Sequence, residues 1–182
     1  MTDAGLLQAA DAVFASGRQL DALRAQVAGA LQDRFEHDSG IATRTGNRNA
    51  AAVLADIGRI SMAEASRLVR VGVAIRPRMS LIGEHLPAEY PEVAAALNAG
   101  ELTVDSALFI TANLGQAAPR ATTEDMVTAE KELVEFALDN PVDSVRKLAV
   151  RYRDASMWTV WNPANKSWSQ GGGSRGSFSP MG

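Results

Sequence analysis

The chain has 182 residues, no cysteine, few aromatic residues and a formal net charge of −3. One domain with a sizeable core is the simplest organisation at that length. Without cysteine, disulfide frameworks, cysteine-ligated zinc and iron–sulfur sites are excluded. No basic flank precedes an apolar run at the N-terminus and no apolar stretch reaches a membrane span, so the expectation is a soluble cytoplasmic protein without signal peptide or membrane partner.

The opening stretch Thr2–Ala15 reads as a short amphipathic helix with Leu6, Leu7, Ala10 and Phe14 on one side, interrupted or kinked at Ser16-Gly17. Leu20, Leu23, Val27, Leu31 and Phe35 then recur at three- and four-residue intervals. That is the stripe of a helix laying this face on the core, with a coiled-coil arm as the alternative. His37-Asp38-Ser39-Gly40 ends the helix, and Ile41–Asn47 reads as a loop.

Arg48–Ile75 carries the densest set of boundary signals. A helical run over Arg48–Ile57 ends at Gly58, the residue type that best tolerates a left-handed helix terminus. Ser61 and Glu64 have the spacing of a capping box, and Ala65, Leu68, Val69, Gly72 and Val73 form one stripe of the helix that follows. Pro77 disfavours helix at Arg76. The same grammar returns 42 positions later: Ile57-Gly58-Arg59-Ile60-Ser61-Met62 aligns with Ala99-Gly100-Glu101-Leu102-Thr103-Val104. Two copies are too few for a solenoid, so a duplicated helix–turn–helix hairpin inside one bundle is expected.

Between the hairpins, Arg78–Glu89 reads as a connection with a short helical piece closed by Pro87, and Pro91 opens a helix to Ala99. The helix Val104–Leu114 is apolar on nearly every side, which marks it as central; Asp105, Ser106 and Asn113 are expected on its exposed side. A loop is expected over Gly115–Arg120, and Thr122-x-x-Asp125 caps a helix over Glu124–Leu138. Asn140-Pro141 starts the last helix, to Ala155, with Val145, Leu148, Ala149 and Tyr152 inward and Arg146, Lys147, Arg151 and Arg153 outward. From Met157 onward Trp158, Trp161 and Trp168 lie among Asn, Ser and Pro, before a Gly/Ser-rich run. The predicted architecture is an all-α, single-domain helical bundle over residues 1–156 with a disordered tail over 157–182.

Charge is unevenly spread: residues 1–40 carry −3, 41–80 carry +5, 81–140 carry −9 and 141–182 carry +4. A basic block between acidic ones suits an anionic partner, self-association or internal pairing alike. His37 and His85 have no second ligand type at metal spacing, and no phosphate loop, nucleophile elbow or Ser/His/Asp grouping occurs. The expectation is therefore a non-enzymatic chain with no catalytic residues, no metal, no cofactor and no small-molecule ligand. The candidate site is the basic first hairpin. Arg67 and Arg70 lie opposite its apolar stripe, with Arg44, Arg48, Arg59, Arg76 and Arg78 at adjoining ends and loops. The second helix of such a hairpin can enter a major groove. DNA is one candidate partner; a second copy or another protein, docked on a purely structural bundle, is the other.

Four segments in order, Gln19–Phe35, Ala51–Ala74, Val93–Ile110 and Glu132–Arg153, resemble domain of unknown function 222, the actinobacterial 13E12 repeat family, over about residues 15–155. Met62–Val71 (MAEASRLVRV) and Ala96–Val104 (ALNAGELTV) are the most specific pieces. The resemblance implies a helical domain of the kind found before a C-terminal HNH nuclease domain, and so an accessory module. Two departures stand out. Where relatives often have a His after the second cap, this chain reads Asp105-Ser106-Ala107, and the pattern stops near Asp154. A truncation, a frameshift or an appended tail accounts for the different end. No HNH motif is present in these residues, so no nuclease residues carry over.

Overall fold

The computed structural model describes residues 2–37, 40–80 and 82–154, together with the backbone of 161–162 and 167–168. Its first element, α1 (Asp3–His37), is one uninterrupted helix of 35 residues, about 52 Å long. The expected break at Ser16-Gly17 does not occur. Ser16 keeps its hydroxyl in the helix by donating to the Ala12 carbonyl at 2.9 Å, and a single glycine costs only about 1 kcal/mol against alanine. The following segment, expected as a loop, contains a short helix, α2 (Gly40–Thr45). Its last turn is closed by Thr45 donating to the Ile41 carbonyl at 2.8 Å.

The first hairpin is α3 (Ala50–Gly58) and α4 (Met62–Ile75). Asn49, not the region of Arg48, starts α3: its side-chain oxygen accepts the Ala52 N–H at 2.8 Å. The left-handed residue at the end of α3 is Arg59, at φ 52°, while Gly58 completes the helix. In the second hairpin, α5 (Pro91–Asn98) and α6 (Val104–Ala117), the left-handed residue is Gly100, at φ 74°. The two turns therefore differ by one residue relative to the sequence alignment. Ser61 Oγ accepts the Glu64 N–H at 3.1 Å, the serine half of the expected box. The reciprocal pair forms at Thr122 and Asp125 instead.

The connection between the hairpins is not helical. Pro77 and Pro87 bracket a two-stranded antiparallel ribbon, β1 (Arg78–Met79) with β2 (His85–Leu86), and Ser80 closes its turn by accepting the Glu84 N–H at 2.9 Å. After α6 the expected loop is helix to Ala117 and then a 3-10 turn over Ala118–Arg120. The last two helices are α7 (Thr123–Asp139) and α8 (Val142–Asp154). Asn140 closes α7 rather than opening α8: its amide donates to the Phe136 carbonyl at 2.9 Å, and the Pro141 carbonyl begins the α8 ladder. The expected disorder after Met157 falls outside the described residues, apart from the pairing of Trp161–Asn162 with Ser167–Trp168.

Two helices sit at the centre. α4 lies between α1, α3 and α6, and α6 packs on α4, α5, α7 and α8. Leu97, Leu102, Ile110, Leu114, Leu133 and Val145 are among the largest fully buried side chains. Ser106 and Asn113, expected on the surface of α6, are buried. Each finds a partner within its own helix end, Ser106 with Thr103 at 3.0 Å and Asn113 with the Phe109 carbonyl at 2.8 Å, which is how buried polar groups are normally satisfied.

The face by which α1 joins the bundle is also a correction. Ala22, Ala25, Ala28 and Gly29 are its buried residues, and not the large stripe. A Cβ added at Gly72 of α4 would stand 2.1 Å from the Ala25 carbonyl oxygen, and one at Gly29 would stand 2.5 Å from the Gly72 oxygen. The two helices cross backbone on backbone, so only small residues fit between them.

Candidate functional site

The cations of the first hairpin do not form a single face. α4 is covered on three sides, and only Met62, Ala63 and Arg70 of its residues are fully exposed. Half-buried Arg67 pairs with Asp105 across the two hairpins at 3.2 Å. Arg76 holds Asp33 at 2.6 Å and Glu36 at 3.2 Å, both on α1. Glu36 lies below the usual carboxylate range, first through the Gln32 amide and then through Arg76, against the opposing effect of burial. Arg44 and Arg78 donate to the Gly40 and Pro87 carbonyls. Arg48, Arg59 and Arg70 are exposed and form no ion pair among the described residues. Part of the basic block is thus neutralised by acids from other segments.

Both histidines, far apart in the chain, line one cleft of about 800 Å³ with Asp33, Arg76, Arg78 and Met79. The ligand atoms of Asp33, Glu36 and His37 lie within 4.8 Å of one another, so His37, expected to have no second ligand type at metal spacing, has two at i−4 and i−1 on its own helix. The guanidinium of Arg76 already occupies both carboxylates.

The least expected surface is apolar. Leu6, Val13, Leu20 and Val27 are 55%, 69%, 50% and 60% exposed, and Leu7, Phe14 and Leu23 beside them are more than half exposed. Leu20, Leu23 and Val27 line a groove of about 320 Å³ whose other wall is Leu54, Ile57 and Ile60, from α3 and its turn. Ile57 is 78% exposed. Single exposed leucines need no explanation, whereas a contiguous apolar patch marks an interaction site. The signal was legible: Leu6, Val13, Leu20 and Val27 stand seven residues apart, the repeat of a helix-pairing seam and not of a bundle face.

The family model for the domain of unknown function DUF222 matches residues 7–156, nearly all of α1 to α8. The chain belongs to the DUF222 family. The match begins at residue 7, so the projecting segment from there on is part of the DUF222 domain. No curated protein and no solved structure gives a match. Among the described residues, no helix of this DUF222 domain is long and apolar enough to cross a membrane.

Proposed function

We infer that this DUF222 domain is a non-catalytic helical docking module, an accessory of the HNH-associated proteins it resembles, and that it works by burying the apolar face of α1 against another protein surface. One observation carries the reading: the large side chains of α1 from Leu6 to Val27 are turned to solvent while its alanines and glycine hold the bundle. Burying a leucine or phenylalanine side chain is worth about 1.5–3 kcal/mol, so a run of them left in water favours association. A photo-crosslinking amino acid at Leu23, in growing cells, is expected to yield a protein adduct that the same group at Lys147 on α8 does not. No adduct above that control would end the docking reading.

Engagement of DNA by the first hairpin is the second reading, favoured by exposed Arg48, Arg59 and Arg70. Three phosphate contacts would weaken affinity roughly 40-fold between about 50 and 200 mM salt. Duplex binding with that salt dependence, removed by Arg48→Ala/Arg59→Ala/Arg70→Ala, would put nucleic acid first; salt-insensitive or undetectable binding leaves protein docking as the function.

A further inference from the structure

We propose that α1 pairs with α1 of a second copy of this chain, antiparallel, so that the projecting first turns of each copy lie in the α1–α3 groove of the other. The proposal rests on the docking reading and names its partner.

Two unpartnered features of one chain match each other. Residues 3–14 rise off the bundle with no buried side chain, so only their continuity with the rest of α1 holds them helical, without the tertiary packing that supplies most helical stability. Further along the same helix, Leu20, Leu23 and Val27 form one wall of an open apolar groove. The arm offers Leu6, Leu7, Val13 and Phe14, so each feature has the chemistry that would cover the other.

The spacing selects a helix as the occupant. An unbroken seven-residue repeat drifts by about 20° per heptad around a straight helix, a drift that only a second helix wound about the first follows. Beside Leu6 and Val13, at the third and fourth positions beyond each, stand Ala9, Ala10, Ser16 and Gly17, small enough for a second backbone to come close. This chain itself supplies a helix with that repeat.

Direction follows from charge and closure. The arm carries Asp3 and Asp11 and no cation, while residues 18–24 carry Arg18, which donates to the Gly100 carbonyl, and Arg24, which pairs with Asp21. Parallel order sets acidic arm on acidic arm; antiparallel order separates the two arms and brings Asp11 to the segment with the two arginines. It also fills two grooves with two arms about one two-fold axis, a contact that closes at the dimer. Leu6 of one copy then faces Val27 of the other, and Val13 faces Leu20. With Leu7, Phe14, Leu23 and Ile57 at the flanks, each copy contributes the apolar centre that a specific interface needs.

Sedimentation equilibrium of the full chain at about 50 μM, where a micromolar dimer is well populated, tests this. The expected mass is near twice the 19.3 kDa of the chain. Leu20→Asp/Val27→Asp and, separately, Leu6→Asp/Val13→Asp should each weaken the dimer at least tenfold. Leu6 and Val13 lie off the bundle, so the second pair changes association while leaving the melt unaltered at concentrations where wild type is itself monomeric. The chain has no cysteine of its own, so a mixture of Val13→Cys and Leu20→Cys chains reports direction: unlike chains should link faster than either alone. A monomeric wild type, a dimer that survives the arm substitutions, or preferential 13–13 linking would each overturn the proposal. A monomer would leave the docking reading standing if the adduct at Leu23 contains a different protein, and would end both if there is no adduct.

Discussion

Gly72 and Leu114 stand at the same place in the two hairpins, 42 positions apart, and both are sealed from solvent. In the first hairpin there is no side chain at that place, and α4 meets α1 backbone to backbone. In the second, α6 fills the space with a leucine that belongs to the main core. The helix starts differ in the same spirit. Asn49 caps α3 from one turn away, whereas Tyr90 at the start of α5 supplies no side-chain cap. There the Val93 N–H is met by Glu130, reaching in from α7 at 3.0 Å. One hairpin grammar is thus integrated by close approach and local caps in one copy, and by volume and a distant side chain in the other.

The strongest way to break that comparison is at its first pair. Gly72→Ala puts a methyl 2.1 Å from one backbone atom and 2.5 Å from another, neither of which can swing aside. It should cost about 4 kcal/mol or more, although alanine is the better helix former. Leu114→Ala leaves a cavity and should cost about 2–5 kcal/mol. The two separate on conservative change: Leu114→Met should be nearly tolerated, below about 1.5 kcal/mol, while no substitution at Gly72 is mild. A Gly72→Ala chain melting within a degree or two of wild type would refute the backbone-contact account.

Next in size is the start of α5. Glu130→Ala removes the acceptor of a buried N–H and should cost about 1–3 kcal/mol, against about 1 kcal/mol for Asn49→Ala at the exposed start of α3. Burial raises the Glu130 pKa, with the backbone N–H groups of Val93 and Glu92 opposing it. The folded chain therefore binds its proton more tightly than the unfolded chain. The stability this contributes is complete below the unfolded carboxylate range and is lost as pH rises through the raised folded value. Melting wild type and Glu130→Gln from acid to neutral pH should show wild type losing ground steadily to the variant; a gap independent of pH would contradict this.

The turns give the smallest effects. Arg59 adopts a left-handed conformation that costs a non-glycine residue about 1 kcal/mol, so Arg59→Gly should stabilise by up to that amount. Gly100→Ala should destabilise by about 1–2 kcal/mol, since φ is 74° and the new methyl would stand 2.7 Å from the Gln19 side chain. Chemical denaturation resolves both signs.

Local chemistry was legible in the sequence. Ser61, Thr122 and the proline at position 91 mark helix starts within a residue of where they fall, and the duplication predicts two hairpins. What lies beyond one turn was not. Hydrophobic periodicity assumes that large residues face inward, and α1 inverts this because the crossing at Gly29 and Gly72 admits only small ones. The arginines of the first hairpin read as one basic block because the partners of Arg67 and Arg76 are 38 to 43 positions away. Glu130 is a carboxylate that no local pattern marks as buried, and only the start of α5, distant in sequence, explains why it lies inside. Ser16-Gly17 read as a break because propensity counts residues singly, while a helix held along its second half carries one weak position.

The crossing of α1 and α4 also bears on how this sequence can drift. In an ordinary core, a larger residue at one position can be offset by a smaller one opposite, so pairs of changes open paths that single changes close. Gly29 and Gly72 oppose each other at backbone distance, and neither has a side chain to give up. No compensating exchange exists between them, and a change at either is reachable only if the whole of α1 lifts away from α4. Descendants of this chain should hold that pair fixed while the caps and turns around it vary.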